Sequence, residues 1–350
     1  MAEEAPVIAG AGSSAPDTVT AELPSGTSST GRPELGRRAR RAIIGTSRLP
    51  KPETVQRGRI LWPYAVSLSL YHLLALLAFV PWFFSWTGVL LAFLGLYVFG
   101  TLGINLCYHR LLTHRGLACP RWLERTFAVL GVCCLQDTPA RWVAIHRMHH
   151  QHSDEQPDPH SPLVTFFWSH VGWLLVDNRE LNSVLTYDRY ARDILRDPFY
   201  FAFERNLLWV WVNLAQWLVY YLGGFAAGWL ATGTVMGGVQ FGLSLLVWGV
   251  VVRTVAVWHI TWSVNSLSHL WGYRNYETDE NSRNNWFVAL VSNGEGWHNN
   301  HHADQRSASH GHYWYEFDVT WLTIALLARL GLARDVVLPG NRLEAVDCRL

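Results

Sequence analysis

Histidines recur in this sequence at spacings that suit the binding of metal ions. The runs His146–His150 and His298–His302 share one pattern, with histidine at the first, fourth and fifth positions. Neutral imidazole binds Zn, Cu, Fe and Ni, and one catalytic metal commonly takes three protein ligands and keeps an open position. The nine clustered histidines are His109, His114, His146, His149, His150, His269, His298, His301 and His302. Nine exceed the needs of one ion and predict a site for two.

The spacing also predicts how these side chains are presented. Residues three and four apart lie on one face of a helix, so each HxxHH run should direct three imidazoles the same way. His109 and His114 are five residues apart, which is a rotation of about 140° on an ideal helix. That pair therefore needs a helix end or a distorted turn to converge.

Two long uncharged runs predict the elements that carry the histidines. Residues 60–108 and 206–252 contain no Asp, Glu, Lys or Arg, over 49 and 47 residues. One membrane crossing takes ~20 residues, so each run fits a hairpin of two spans. The turns are expected at 81–88 and near the glycines at 223–233. The fold class predicted is all-α: four transmembrane helices in two hairpins, with a cytoplasmic helical cap that carries a histidine-rich di-metal site.

The fourth span is predicted to run from Met236 to His269. Its length of about 51 Å exceeds the ~30 Å hydrocarbon core, so its last turns should carry Asn265 and His269 out to the other histidines. Arginines flank the first span on its N-terminal side and the second on its C-terminal side, whereas the hairpin turns are uncharged. The positive-inside rule then predicts a multi-pass integral membrane protein with both termini and the active site in the cytoplasm.

The predicted domains follow the same division. Residues 1–58 are expected to be a disordered basic N-terminal tail, 59–335 the membrane domain and 336–350 a C-terminal tail. A net charge of +1 argues against nucleic acid as a partner. The five cysteines form neither a zinc pattern nor a disulfide framework.

Further short runs around the histidines carry a family resemblance. They include Asp158-Pro159-His160, Ser169-His170-Val171-Gly172-Trp173 and Gly294-Glu295-Gly296-Trp297-His298-Asn299. From about residue 60 to 325 the chain resembles membrane-bound fatty acid desaturases of the stearoyl/acyl-CoA type. The resemblance implies that a cis double bond, at Δ9, enters a saturated acyl chain with O₂, two electrons and a non-haem di-iron centre.

The resemblance also implies roles for individual residues. The nine histidines would bind two Fe ions, Asn265 would contact the centre through water, and no catalytic residue beyond these ligands is expected. Residues expected to line the bent tunnel for the acyl chain are Gln136, Trp142, Thr261 and Trp262. Tyr97 would close the floor of the tunnel and limit chain length. Acidic residues that are candidates for orienting the imidazoles are Asp154, Glu155, Asp158, Glu295 and Asp304.

One departure leaves the acyl carrier open. Animal acyl-CoA desaturases usually have Trp-Ala-Arg-Asp before the second histidine group, whereas this chain has Trp142-Val143-Ala144-Ile145. The missing Arg and Asp help to hold CoA, and Asp137 stands where Asn is common. The substrate is therefore expected to be an acyl-CoA or an acyl-lipid.

Two alternative functions remain at this point. A di-iron hydroxylase or ketolase on the same scaffold would share the histidines, and a polyhistidine metal transporter would need ligands at the middle of the bilayer. The sequence contains neither a Gly-rich dinucleotide motif in a suitable context nor a His-Pro-Gly-Gly signature. The electrons should therefore come from a separate donor of the ferredoxin or cytochrome b5 type.

Overall fold

The computed structural model describes residues 48–340, and most of these residues are helical. The helices in chain order are α1 (Trp62–Ala75), α2 (Trp86–Thr113), α3 (Arg121–Val132), α4 (Pro139–His152), α5 (Phe166–His170), α6 (Val184–Tyr190), α7 (Arg192–Leu195), α8 (Pro198–Arg205), α9 (Leu208–Thr232), α10 (Val235–Leu267), α11 (Trp286–Val291), α12 (His298–Ala303) and α13 (Val319–Arg329). A 3₁₀ turn, Leu76–Phe79, extends α1. The helical fold class is confirmed in this coarse form.

A small sheet corrects the all-α prediction. Within the described residues, strand β1 (Val55–Ile60) pairs antiparallel with strand β2 (Val176–Asn178). The strand begins inside the range assigned to the N-terminal tail, because Val55 pairs with Asn178 of β2. Residues 1–47 of that tail and 341–350 of the C-terminal tail lie outside the described residues. Val337 already exchanges backbone hydrogen bonds with Gly116 and Ala308.

Three helices in the described part of the chain are long and apolar enough to cross a membrane: α1 with its 3₁₀ extension, α2 and α10. Helix α9 has 25 residues and is uncharged, but its tryptophans, tyrosines, Asn213 and Gln216 make it less apolar. It ends at Gly233, whose φ of 68° reverses the chain into α10. Gly223 and Gly224 lie within α9, so the turn of the second hairpin is at Gly233.

Helix α10 is the central element, since α1, α2 and α9 all pack against it. It has 33 residues, close to the predicted length of the fourth span. Its Arg253 is fully buried: Nη1 donates to Cys133 O at 3.0 Å and Nη2 donates to Gln216 of α9. The guanidinium also lies 4.2 Å from the centre of the Phe99 ring. A buried charge in an apolar helix of this length needs such partners. They connect α10 to Phe99 of α2, to Gln216 of α9 and to Cys133, which directly follows α3.

Helices α2 and α3 cross in close contact beside the histidines. A Cβ on Gly103 would lie 2.4 Å from the backbone N of Gly131, and a Cβ on Gly131 would lie 2.5 Å from the Tyr108 ring. Only glycine permits this approach, which sets the position of the end of α2.

We expect Gly103→Ala to lower the melting temperature of the detergent-solubilised protein, because overpacking against a backbone costs about 1–3 kcal/mol. The matched control is Gly223→Ala. A Cβ there meets no described atom within 4 Å, and alanine favours a helix over glycine by roughly 0.5–1 kcal/mol. Equal melting temperatures for the two variants would contradict the close crossing of α2 and α3.

Candidate metal centre and adjoining cavity

The structure brings all nine predicted histidines together in two adjacent groups. Site A consists of His109, His114, His146, His150 and His301, and site B consists of His149, His269, His298 and His302. Within each group, one ring nitrogen from every member lies within 4.8 Å of the others. The rings of His150 and His302, one from each site, have centres only 4.4 Å apart.

Each HxxHH run divides its histidines between the two sites. In α4, His146 and His150 belong to site A, whereas His149 belongs to site B. In α12 the same pattern is inverted, with the first and fifth positions in site B and His301 in site A. Residues four apart on a helix are closer in azimuth than residues three apart, so the i, i+4 pair shares one site. The sequence predicted that the three imidazoles of each run point the same way. The structure divides them between the two sites instead.

The pair His109 and His114 converges through a local change in helix type. The second half of α2, Leu96–Thr113, is π-helical, and its last bond runs from the N–H of His114 to the carbonyl of His109. A π-helix closes i→i+5 bonds, so residues five apart come onto nearly the same face. The two ring centres are 4.8 Å apart. This is the distorted turn that the spacing required.

The ring nitrogens of each site point at one another. In site A, His301 Nε2 lies 3.1 Å from His109 Nε2 and 3.0 Å from His150 Nε2. His150 Nε2 is also 3.0 Å from His146 Nε2. A ring nitrogen has either one proton or one lone pair, so it cannot serve two such contacts as ordinary hydrogen bonds.

A cation in each site would account for these contacts. Imidazole nitrogens bind metals at about 2.0–2.1 Å, so neighbouring ligands at right angles around one ion lie about 3 Å apart. In site B, His298 Nε2 shows the same spacing, 3.0 Å from His269 Nε2 and 3.1 Å from His302 Nε2. Nitrogen donors at this spacing fit a transition-metal ion in each site.

Three carboxylates orient the imidazoles from behind. The Nδ1–H of His109 donates to Glu295 Oε2 at 2.5 Å, and that of His149 donates to Asp158 Oδ1 at 3.0 Å. His269 Nδ1–H donates to Asp154 Oδ2 at 3.1 Å. With the proton on Nδ1, the Nε2 lone pair is free for a metal.

The other two acidic candidates do not touch the sites. Glu155 is exposed and pairs only with His152, at 3.5 Å. Asp304 accepts a hydrogen bond from the backbone N–H of Gly340. Of the five acidic residues proposed because they are close to the histidines in sequence, three therefore contact a histidine of the two sites.

The electrostatics keep most of the rings neutral. Burial, reinforced by neighbouring imidazoles, holds the pKa of His146, His150 and His302 well below the usual value. The same is true of the pKa of His114, His298 and His301. At site B, burial also opposes the charged form of His269, but the Asp154 carboxylate outweighs it and raises the pKa of His269 to about 9. A metal ion at site B would replace that proton, because only the neutral ring has a free lone pair.

Three residues at the centre were missed by the sequence reasoning. His310 stacks on His301 with ring centres 4.3 Å apart, and His160 lies 4.4 Å from the ring of His149. Arg110 was counted only among the arginines that flank the second span on its C-terminal side, but it is fully buried. It donates to Glu295 Oε1 at 2.7 Å and to Asp318 Oδ2 at 2.8 Å. The signal for Arg110 was its position next to His109 at the end of an apolar span.

A narrow cavity, here called the inner cavity, adjoins site A. Its lining includes Gln136, Trp142, Thr261, Trp262 and Asn265 together with His146. The Trp142 ring stacks on the His146 ring, with centres 4.8 Å apart. Gln136 Nε2 donates to Thr261 Oγ1 at 2.9 Å, which joins opposite walls of the cavity. The four residues expected along the tunnel and Asn265 thus lie together beside a metal ligand.

Tyr97 is placed differently. It does not line the inner cavity, and its hydroxyl lies 2.8 Å from Thr323 Oγ1 of α13. Tyr97 is thus a contact between α2 and α13 in this structure.

The chain is similar to characterised proteins over most of its length. Residues 84–321 match the model of the family described as fatty acid desaturase. An sn-1 stearoyl-lipid 9-desaturase of Synechocystis sp. is 43% identical over 278 residues, which cover 79% of this chain and 80% of that protein. An sn-2 palmitoyl-lipid 9-desaturase of Nostoc sp. is 42% identical over 288 residues, 82% of this chain and 93% of that protein. A chloroplastic palmitoyl-monogalactosyldiacylglycerol delta-7 desaturase of Arabidopsis thaliana is 43% identical over 278 residues, 79% and 68% of the two chains.

The division of each HxxHH run makes a prediction about metal content. The double variant His298→Ala/His302→Ala removes two ligands from site B and leaves all five of site A. We expect it to retain about one tightly bound ion per chain, measured by elemental analysis, and the unaltered protein to retain two. The double variant His301→Ala/His302→Ala takes one ligand from each site and should weaken both. Two ions in the first variant would contradict the assignment.

The carboxylate contacts make a second prediction. Asp158→Asn replaces the charged carboxylate that fixes the proton on His149 Nδ1 with a neutral and weaker acceptor, so we expect metal affinity to fall about 10–100-fold in a chelator competition. The control is Glu155→Gln, an exposed acid three residues earlier, which should bind metal normally. Equal affinities in the two variants would show that Asp158 does not orient the site.

Proposed function

The chain belongs to the fatty acid desaturase family and is an oxidoreductase that desaturates fatty acyl chains; from this premise we propose that it inserts a cis double bond at Δ9 of a saturated chain held in the inner cavity. The observation that carries the proposal is the shared wall between that cavity and site A. His146 belongs to both, so a chain in the cavity would lie against a metal ligand.

The proposed cofactor is a pair of non-haem Fe ions, one in each site, with Asn265 in contact through water. The reaction would remove two hydrogen atoms from adjacent methylenes. Together with two electrons from the donor and two protons from solvent, these two hydrogen atoms would reduce O₂ to two waters. The metal ions supply the oxidising power that an unactivated methylene requires. The protein supplies ligand geometry, a dry cavity and the position of the chain.

Selection of one bond among many identical methylenes has to depend on shape. An acyl chain offers no polar group near the reacting carbons, so hydrogen bonds cannot mark the position. Trp142 and Trp262 provide rigid walls, and the Gln136–Thr261 hydrogen bond closes the space between them. Holding the chain at one depth makes the reaction effectively intramolecular. The depth that gives Δ9 would be set by these walls, and the length limit assigned to Tyr97 remains part of the proposal.

We propose an acyl-lipid as the carrier in preference to acyl-CoA. Ala144 and Ile145, which replace the Arg and Asp of the CoA enzymes, are both buried. They offer no charge to CoA phosphates. The two bacterial relatives are described as desaturases of stearoyl-lipid and palmitoyl-lipid, which supports the same choice.

The proposed membrane arrangement retains four spans. Helix α9 is about 37 Å long, longer than the ~30 Å hydrocarbon core. Large apolar side chains such as Trp211, Val219 and Leu230 are exposed along it, as expected for contact with lipid. An even number of crossings places the metal sites and both termini on one side, which the basic flanks assign to the cytoplasm. The electron donor is then a separate cytoplasmic protein of the ferredoxin or cytochrome b5 type.

Expression in a host that lacks its own desaturases tests the function. We expect monounsaturated chains with a Δ9 double bond in the glycerolipids, detected by mass spectrometry after derivatisation of the double bond. His149→Ala should abolish the product and lower the iron content. A product that gains an oxygen atom would identify a hydroxylase or ketolase. Unchanged lipids from folded, iron-loaded protein with a competent donor would contradict the proposal.

A further inference from the structure

A second cavity, here called the side cavity, opens next to the inner one. It lies between α1, α4, α8 and α9 and encloses about 1050 Å³ including its opening, against about 620 Å³ for the inner cavity. The two cavities share Tyr64, Leu68, Leu135, Asp137 and Trp258 in their walls. A ligand at this shared wall therefore borders both spaces.

The side cavity lies at the depth of a membrane interface. Pro63 and Ser67 line it from the start of α1, and Trp209 lines it from the first turn of α9. Further along the same two helices, Trp217 Nε1–H donates to the Tyr71 hydroxyl at 3.2 Å and joins them. The cavity thus sits at the interfacial ends of two helices, where the ester groups of membrane lipids are found and where tryptophan is enriched.

One end of the side cavity is polar and incompletely paired. Tyr64 and Arg141 both contact Asp137, at the boundary of the two cavities. Among the described residues, Glu204 Oε1 and Thr138 Oγ1 are buried without a hydrogen bond of good geometry, and the two side chains lie close to each other. Burial raises the pKa of the Glu204 carboxyl. The Thr138 hydroxyl beside it can donate to an ester carbonyl.

We propose that the side cavity holds the glycerol linkage and second acyl chain of a membrane glycerolipid while the first chain occupies the inner cavity. The two chains of such a lipid leave neighbouring carbons of one glycerol. They need two apolar spaces that meet at a polar junction, and these cavities meet at Asp137. A carrier with a single chain would leave the side cavity unfilled. This inference rests on the proposed function, and it adds where the second acyl chain of the lipid substrate is bound.

The test fills the side cavity without touching the inner one. Ser67 and Ser69 are both exposed on α1, but Ser67 lines the side cavity only, whereas Ser69, two residues on, lines neither cavity. We compare Ser67→Trp with Ser69→Trp as iron-loaded proteins with reduced ferredoxin. The substrates are a distearoyl glycerolipid and its single-chain stearoyl lysolipid with the same headgroup, in mixed micelles.

We expect Ser67→Trp to lower the ratio of diacyl to lysolipid desaturation at least about tenfold, and Ser69→Trp to leave the ratio unchanged. Unchanged rates in Ser67→Trp, or equal losses on both substrates, would overturn the inference. So would an unaltered protein that desaturates only the lysolipid. An unaltered protein that desaturates neither substrate would instead count against the proposed function.

A second variant avoids any effect of the bulky residue on folding. Ser67→Cys is folded and loaded with iron first, and then labelled with dodecyl methanethiosulfonate. The four cysteines in the described part of the chain are buried, and Ser69→Cys controls for labelling elsewhere. Labelling of Ser67→Cys should slow only the diacyl substrate. The same selectivity after labelling Ser69→Cys would contradict the assignment of the side cavity.

Discussion

The convergence of nine imidazoles in a dry pocket is the constraint on which the rest of the structure depends. Lone pairs that face one another at 3.0–3.1 Å in a buried space repel, and burial disfavours protonating the rings to relieve this. One cation in each site would remove the repulsion, because the lone pairs would then bind metal. The carboxylates of Glu295, Asp158 and Asp154 fix the orientation of one histidine ring each, and Arg110 in turn holds Glu295. The geometry of the two sites is therefore set by the folded structure.

The helices can be understood from what the two sites require. Helices α4 and α12 each deliver two histidines to one site and one to the other, in opposite order. Helix α2 changes to π-helical geometry to bring His109 and His114 together, and α10 is long enough to carry the chain from the membrane to His269. The inner cavity then forms between α10 and α4, against the imidazole of His146.

The nine histidines and the apolar helices α1, α2 and α10 could be predicted from the sequence because they rest on residue type and local spacing. The positions of Gln136, Trp142, Thr261 and Trp262 followed from the family resemblance. The division of each HxxHH run could not be predicted, since it depends on where a second helix stands. His160, His310 and the buried Arg110 belong to the centre through tertiary contacts that span up to 208 residues of sequence. Strand β1 was missed because its partner β2 lies more than a hundred residues further along the chain.

The most direct test of this account is anomalous X-ray diffraction at the iron edge from crystals of the iron-loaded protein. The account predicts two peaks, one about 2 Å from imidazole nitrogens of the five histidines of site A and the other equally close to those of the four of site B. A single peak, or peaks whose nearest nitrogens come from a different grouping of these residues, would contradict it.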